Sequence, residues 1–148
     1  MFFEKAIATA LGIGYINRGA GSVASIAYCA VWYWQPKHSF AWECLPVVLV
    51  LIAGHWSAGV VEKWWGKDNN KVVIDEVAGM MIALLSIPVS IINAIVAFIL
   101  FRFFDIVKPL GIRRLEKLPS GLGVMADDFV AGLYSLIILK VFIAVNLT

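Results

Sequence analysis

Acidic residues stand in pairs at two places in an otherwise apolar chain. Asp75 and Glu76 open one apolar segment. Asp127 and Asp128 open another, and Asp105 lies between the two pairs in sequence. Carboxylates that meet repel one another unless a cation neutralises them, and ligand sets made only of oxygen select hard ions such as Mg²⁺. The pattern therefore predicts a magnesium site on the two acidic pairs, with Asp105 close by.

Two basic residues accompany these acids. Arg102 and Lys108 flank Asp105 at spacings of three residues, so the three side chains share roughly one helical face. Because Mg²⁺ commonly shares its coordination between carboxylates and substrate phosphate oxygens, we expect Arg102 and Lys108 to bind a phosphate. The predicted chemistry is attack of metal-activated water on a phosphate ester. Its catalytic residues would be Asp105, Lys108, Asp127 and Asp128.

An aspartate at the start of a helix also has a purely structural explanation. An N-cap aspartate stabilises a helix by about 0.5–2 kcal/mol without any catalytic role. Asp75 or Asp127 alone fits either interpretation equally well. Two acidic pairs that open two helices on the same face favour the site.

A glycine-rich stretch near the amino terminus, residues 12–25, is a second candidate for contact with an anion. Its backbone amides can approach an anion closely because glycine has no side chain, and the stretch contains Gly12, Gly14, Gly19 and Gly21 together with Asn17, Arg18, Ser22 and Ser25. A bend between two packed helices has the same composition. From the residues alone, the bend is the commoner explanation.

Several known phosphoryl chemistries lack their residues. Gln35 and Val50 follow Cys29 and Cys44 at the spacing where a cysteine phosphatase carries arginine. Leu122 follows the PSG stretch where the acid-phosphatase pattern of lipid phosphatases has histidine. The chain also has no GxxxxGK[ST] loop and no DxDx[TV] start of an aspartyl-phosphate enzyme. Attack by metal-activated water is the phosphoryl mechanism that remains after these exclusions.

Composition indicates an integral membrane protein of one domain, residues 1–148. Hydrophobic residues make up 61% of the chain and charged residues 15%, against about 45–50% and about 25% in soluble domains. The net charge of +2 is too small to indicate a nucleic-acid partner. The two cysteines have neither the spacing nor the histidine partners of a zinc site.

The fold class that these segments predict is all-α, a compact membrane bundle of about six helices. Some segments are shorter than a full span of about 20 residues, so we expect tilted or partly inserted helices. The predicted segments are residues 3–16, 22–34, 45–61, 75–87, 91–104 and 127–145.

The distribution of positive charge predicts the orientation. Nine of the 12 lysine and arginine residues fall in loops on the side that carries the acidic pairs. By the positive-inside rule this side is cytoplasmic. Arg113, Arg114 and Lys117 are interpreted as a solvated face that touches anionic headgroups rather than as part of the site.

Three stretches together resemble one known family. GIGYINRGAGSVAS, VVIDEVAGMMIAL and FRFFDIVKPLGIRRLEKLPSGLGVMADDFVAG resemble phosphatidylglycerophosphatase A, a bacterial membrane enzyme, in order and over nearly the whole chain. The resemblance implies Mg²⁺-dependent removal of the terminal phosphate from phosphatidylglycerophosphate, a phospholipid substrate held in the membrane. It also implies a multi-pass protein of the bacterial inner membrane whose active site faces the cytoplasm. The oligomeric state is left open.

The resemblance assigns roles to motif positions. Its acidic positions fall on Asp68, Asp75, Glu76, Asp105, Asp127 and Asp128, and its basic positions on Arg102 and Lys108. Gly21, Ser22 and Ser25 stand in its glycine and hydroxyl loop. His55 and Glu62 match less specific positions, and for His55 a hydrogen bond to a neighbouring helix is favoured over a role in the site.

This chain departs from the family pattern at several positions. Ala20 and Ala24 replace a proline and a glycine of the loop, and Asn69, Asn70 and Ser120 stand where histidines are common. These departures argue against a proton relay through histidine and leave the carboxylates untouched. Lys108 or metal-bound water would then assist the leaving group.

Two other functions fit parts of the sequence. A lipid alcohol phosphotransferase also uses Mg²⁺ and clustered aspartates in membrane helices, but its DG and downstream AR signature is missing. A small transporter or ion-binding membrane protein would line a pathway with acids. It predicts charges spread through the membrane depth rather than gathered at one mouth.

Overall fold

The fold is built from helices throughout the part of the chain that the computed structural model describes, residues 2–36, 39–67, 69–119 and 121–146. These ranges contain six α-helices, two short 3₁₀ helices and no strand, which confirms the all-α prediction. The α-helices are α1 Phe2–Ala8, α2 Ala20–Trp34, α3 Phe40–Trp65, α4 Ile74–Ala83, α5 Ile91–Val107 and α6 Gly121–Asn146. The 3₁₀ helices are Ile13–Tyr15 and Ile112–Lys117.

The first helix is shorter than the predicted segment 3–16. It ends at Ala8, and Leu11 and Gly12 then take positive φ angles of 59° and 103°. A left-handed residue cannot continue a right-handed helix, so the chain turns here. The 3₁₀ helix Ile13–Tyr15 and the glycine-rich loop follow the turn and lead into α2.

The prediction that the last helix begins at Asp127 was wrong, because α6 begins at Gly121. The sequence PSGLG reads as a loop, yet Gly121 lies inside the packing. A Cβ at Gly121 would collide with the backbone carbonyl of His55, so the glycine lets α6 lie directly against α3. Asp127 and Asp128 are therefore inside the helix and not N-caps. Asp75 is not an N-cap either, since Val73 holds that position.

Helix α4 lies at the centre of the bundle. Every residue from Ala78 to Ala83 is buried, although a helix on the surface would expose one face. Phe101 of α5 and Leu139 of α6 are fully buried against this core. At 10 residues, α4 is about 15 Å long at 1.5 Å per residue, so it spans only part of the bundle.

Helices α3 and α6 are long and apolar enough to cross a membrane. Each has 26 residues and a mean hydropathy of 2.0 over its most apolar stretch, and 26 residues extend about 39 Å, more than the hydrocarbon core of about 30 Å. Their outward faces carry exposed apolar side chains such as Leu49 and Ile52 on α3 and Ile137 and Val141 on α6. Such faces suit contact with lipid.

The contact between α4 and α6 depends on two glycines. A Cβ on Gly132 would lie 2.5 Å from the carbonyl oxygen of Gly79 and 3.1 Å from the Cβ of Ile82. We expect Gly132→Ala to lower the free energy of unfolding by about 1–3 kcal/mol because backbone atoms cannot move aside cheaply. Thermal unfolding in detergent measures this loss, with Val141→Ala on the exposed face as the control. Equal melting temperatures of the two variants would contradict the packing.

Candidate active site

A polar cavity of about 510 Å³ lies where four parts of the chain meet. They are the loop that leads into α2, the loop before α4 with the first turn of that helix, the end of α5 with the 3₁₀ helix that follows it, and the first two turns of α6. The charged side chains that line it are Arg18, Asp75, Glu76, Arg102, Asp105, Lys108, Glu116, Asp127 and Asp128. The structure thus gathers residues that lie more than a hundred positions apart in the chain.

Three carboxylates converge inside this cavity. Asp75, Glu76 and Asp128 each offer one oxygen, and these oxygens all lie within 4.8 Å of one another. Asp128 is only 3% exposed, and Oε2 of Glu76 is buried without a hydrogen-bond partner among the described residues. A buried carboxylate oxygen normally has a partner. The group therefore offers the ligand atoms of a cation site, and a bound cation would give the buried Oε2 of Glu76 a partner.

Burial and mutual repulsion act on the two acids of α4. Burial, reinforced by the negative charge of Glu76, raises the pKa of Asp75 well above its ordinary value. Burial also raises the pKa of Glu76, and a hydrogen bond with Asp75 offsets only part of that rise. In the protein alone both groups resist ionisation. A cation between them would favour the charged forms and remove the conflict.

Arg102 is held by two acids at the edge of this group. Its Nη1 donates to Oδ2 of Asp105 at 2.6 Å and lies 4.0 Å from Oε1 of Glu76. The first contact joins residues three apart on α5, as their spacing predicts. Nε of Arg102 is buried with no hydrogen-bond partner in the described chain, so the guanidinium has an N–H donor available for a ligand.

Lys108 ends α5 and turns back toward α6. It takes the left-handed conformation at φ 50° and its N–H donates to the Phe104 carbonyl, which closes the helix before Pro109. Its ammonium donates to Asp127 at 2.5 Å and to Glu116 at 2.8 Å. Burial by itself lowers the pKa of Lys108, but the two carboxylates outweigh it and raise the pKa. Lys108 therefore carries a fixed positive charge.

The four residues predicted as metal ligands separate into two groups. Asp75, Glu76 and Asp128 form the convergent group, whereas Asp127 lines the same cavity and pairs with Lys108. Asp105 lines the same cavity and pairs with Arg102. The role of Asp127 as a ligand stays a prediction.

Of the glycine and hydroxyl loop, Gly21 lines the cavity and the two serines do not. A Cβ on Gly21 would overlap Oε1 of Glu76, so only glycine allows the first turn of α2 to cover that carboxylate. Ser25 is fully buried and its hydroxyl donates to the Gly21 carbonyl at 2.8 Å. Binding of phosphate by Ser22 and Ser25 stays a prediction.

The remaining predicted residues lie away from the described cavity lining. His55 is exposed on α3, and Glu62 is half-buried on the same helix. Neither lines the cavity. Asp68 lies outside the described residues.

Sequence reasoning missed two parts of the site. Glu116, which binds Lys108, stands among Arg113, Arg114 and Lys117, the residues interpreted as a solvated face, and was not itself predicted as part of the site. The only sequence signal for Glu116 was its position inside the longest of the three stretches that resemble the family. Asn69 forms part of the wall, and its side chain bridges the Trp65 carbonyl and the Lys71 N–H, which fixes the loop before α4.

Convergent carboxylates beside fixed cations on a helical scaffold define a class of site, one built for phosphoryl chemistry. The comparisons with known proteins identify the family. Residues 6–143 match the phosphatidylglycerophosphatase A family, and the chain belongs to this family. No solved structure matches the fold.

Curated relatives are named as phosphatases of lipids. A protein of Bacteroides thetaiotaomicron named "Putative phosphatidylinositol-3-phosphatase" is 40% identical over 95% of this chain and 93% of its own length. Phosphatidylglycerophosphatase A of Escherichia coli is 32% identical over 87% of this chain and 77% of its own length. The enzyme of that name from Haemophilus influenzae is 47% identical over 48% of this chain and 45% of its own. The protein is a phosphomonoester hydrolase.

The pair of Lys108 and Asp127 offers a test of the site's electrostatics. Asp127 is only 6% exposed, so Lys108→Met leaves a carboxylate without its cation. We expect a loss of about 1–3 kcal/mol in the free energy of unfolding. Adding Asp127→Asn should return part of this loss because no unpaired charge remains. Lys117→Met, on an exposed lysine, is the control, and strictly additive effects in thermal unfolding would contradict the pairing.

Proposed function

We propose that the protein is a Mg²⁺-dependent membrane phosphatase that hydrolyses phosphatidylglycerophosphate to phosphatidylglycerol and inorganic phosphate. One observation carries this proposal: Asp75, Glu76 and Asp128 converge in a cavity that also holds Arg102 and Lys108. The family gives the substrate class, and this geometry is what that chemistry needs.

The residues present fit a magnesium ion. All three donors are carboxylate oxygens, which hard cations prefer, and Oε2 of Glu76, which has no partner in the described part of the chain, offers a free lone pair. Mg²⁺ usually keeps positions for water and substrate phosphate, and the remaining volume of the cavity allows this. A bound Mg²⁺ would supply Lewis acidity, which polarises the phosphoryl group and makes water a better nucleophile near neutral pH.

The chain's own cations would bind and orient the phosphomonoester. Arg102 and Lys108 are already held by Asp105, Asp127 and Glu116, so little side-chain freedom is lost when the phosphate binds. Their charges oppose the negative charge that collects on phosphoryl oxygens. Since the pKa of Lys108 is raised, it acts as a hydrogen-bond donor to the leaving oxygen rather than as a source of protons.

The membrane setting is part of the proposal. The exposed apolar faces of α3 and α6 would contact acyl chains, and the lipid headgroup would reach the cavity from the side of the bilayer. The excess of lysine and arginine in loops on the side of the acidic pairs favours a cytoplasmic mouth in a multi-pass inner-membrane protein.

A second substrate is phosphatidylinositol 3-phosphate. The relative from Bacteroides thetaiotaomicron carries a name for this activity and aligns with 95% of the chain. Both lipids bear a phosphomonoester on a polyol headgroup, so the same carboxylates and cations would serve either one.

Replacing one convergent carboxylate tests the metal site. We expect Asp128→Asn to lower phosphate release from phosphatidylglycerophosphate by about 100-fold or more. Loss of a direct ligand weakens metal binding more than loss of a residue that only supports a ligand, which typically costs about 10–100-fold. Mg²⁺ should raise the melting temperature of the unaltered protein and raise it less in the variant. Glu62→Gln, an acid outside the cavity lining, is the control. Full activity of Asp128→Asn would remove this residue from the mechanism.

A panel of lipid phosphomonoesters tests the substrate. Phosphate release would be measured from phosphatidylglycerophosphate, phosphatidylinositol 3-phosphate and phosphatidate, with Mg²⁺ and with a chelator. We expect the first lipid to give the highest kcat/KM and the chelator to abolish release from all three. A higher kcat/KM for the inositol lipid would establish the second substrate, and release that persists in chelator would exclude the metal.

A further inference from the structure

The cations that line the cavity are not equivalent. Six acids and three basic residues line it, so the cavity as a whole is negative. Arg102 is 2.6 Å from a carboxylate oxygen of Asp105, and Lys108 bonds Asp127 and Glu116. Each of these two cations therefore meets the substrate with its charge already balanced in part.

Arg18 differs from both. It lines the same cavity and is exposed, and within the described ranges it makes no ion pair. A guanidinium with all its donors available can bind a phosphate group through two parallel hydrogen bonds. Arg18 is thus the uncommitted anion-binding group of this wall.

Its position in the chain places Arg18 near the convergent carboxylates. Gly21 lies directly against Glu76, and Arg18 precedes it by three residues. Three residues of extended chain reach at most about 11 Å, and the arginine side chain can shorten that distance. Arg18 therefore stands within one headgroup length of the acids that would hold the cation.

Phosphatidylglycerophosphate carries two phosphates. One is the terminal monoester that is hydrolysed, and the other is the diester that joins glycerol to the lipid. The diester is also an anion, and the acids that line the cavity outnumber its basic residues by six to three, so a positive charge of its own favours its binding. Phosphatidylinositol 3-phosphate has the same two groups, whereas the single phosphate of phosphatidate is the monoester itself.

We propose that Arg18 binds the phosphodiester of the substrate while Arg102 and Lys108 hold the terminal phosphomonoester, an inference that rests on the proposed function. Arg18 then sets specificity: it favours lipids that have a phosphodiester behind the scissile group over lipids that have only a monoester. The Bacteroides thetaiotaomicron relative and the two phosphatidylglycerophosphatases are named for lipids of the favoured kind.

The test compares two substrates in Arg18→Gln. We expect kcat/KM for phosphatidylglycerophosphate to fall about 10-fold more than kcat/KM for phosphatidate, mostly through KM, as the loss of one charge-assisted contact at an exposed position predicts. Arg18→Lys keeps the charge and loses the bidentate geometry. Its kcat/KM for phosphatidylglycerophosphate should lie between those of the unaltered protein and of Arg18→Gln. Arg113→Gln removes an exposed arginine outside the cavity lining and is the control.

Product inhibition gives a second measurement that does not depend on phosphatidate being cleaved. Phosphatidylglycerol keeps the diester and inorganic phosphate mimics the monoester, so Arg18→Gln should weaken inhibition by the lipid about 10-fold and leave inhibition by phosphate unchanged. Equal losses for both substrates, or equal changes for both inhibitors, would overturn the role of Arg18. If the unaltered protein releases no phosphate from phosphatidylglycerophosphate, the proposed function itself fails.

Discussion

The structure depends on keeping many like charges close together in a buried place. A carboxylate loses hydration on burial and repels its neighbours, and both effects must be offset. Here Asp105 is balanced by Arg102, and Asp127 by Lys108. The convergent group of Asp75, Glu76 and Asp128 is left without enough positive charge among the described residues. The remaining deficit is the physical reason why the proposed mechanism includes a divalent ion.

Close helix packing is what brings these acids together. Gly79 and Gly132 allow the backbones of α4 and α6 to touch, which places Asp128 beside the first turn of α4. Gly121 does the same for α6 and α3. Between apolar helices in lipid, such small residues provide association through van der Waals contact, since the hydrophobic effect offers little there. These glycines therefore position the acidic residues of the site by letting the helices pack closely.

Much of the fold and part of the site could be predicted from the sequence. Apolar segment lengths and the charged motifs predicted the all-α class, the number of α-helices and most of the charged residues that line the cavity. The start of α6 could not be predicted, because PSGLG has the composition of a loop and only contact with α3 makes Gly121 helical. The partner of Lys108 could not be predicted either, since the pairing with Glu116 depends on how the 3₁₀ helix Ile112–Lys117 folds back. Motifs identify which residues matter, whereas pairing among them is a tertiary property.

The backbone at Lys108 has a consequence for protein engineering. A left-handed φ of 50° disfavours every residue except glycine by about 1 kcal/mol or more, and the usual stabilising replacement at such a helix end is glycine. Here that replacement would delete the ammonium that neutralises Asp127. The unpaired carboxylate would cost about 1–3 kcal/mol, at least as much as the left-handed backbone of Lys108 does, so glycine would not stabilise this helix end. Substitutions that raise stability are better sought on the exposed apolar surfaces of α3 and α6.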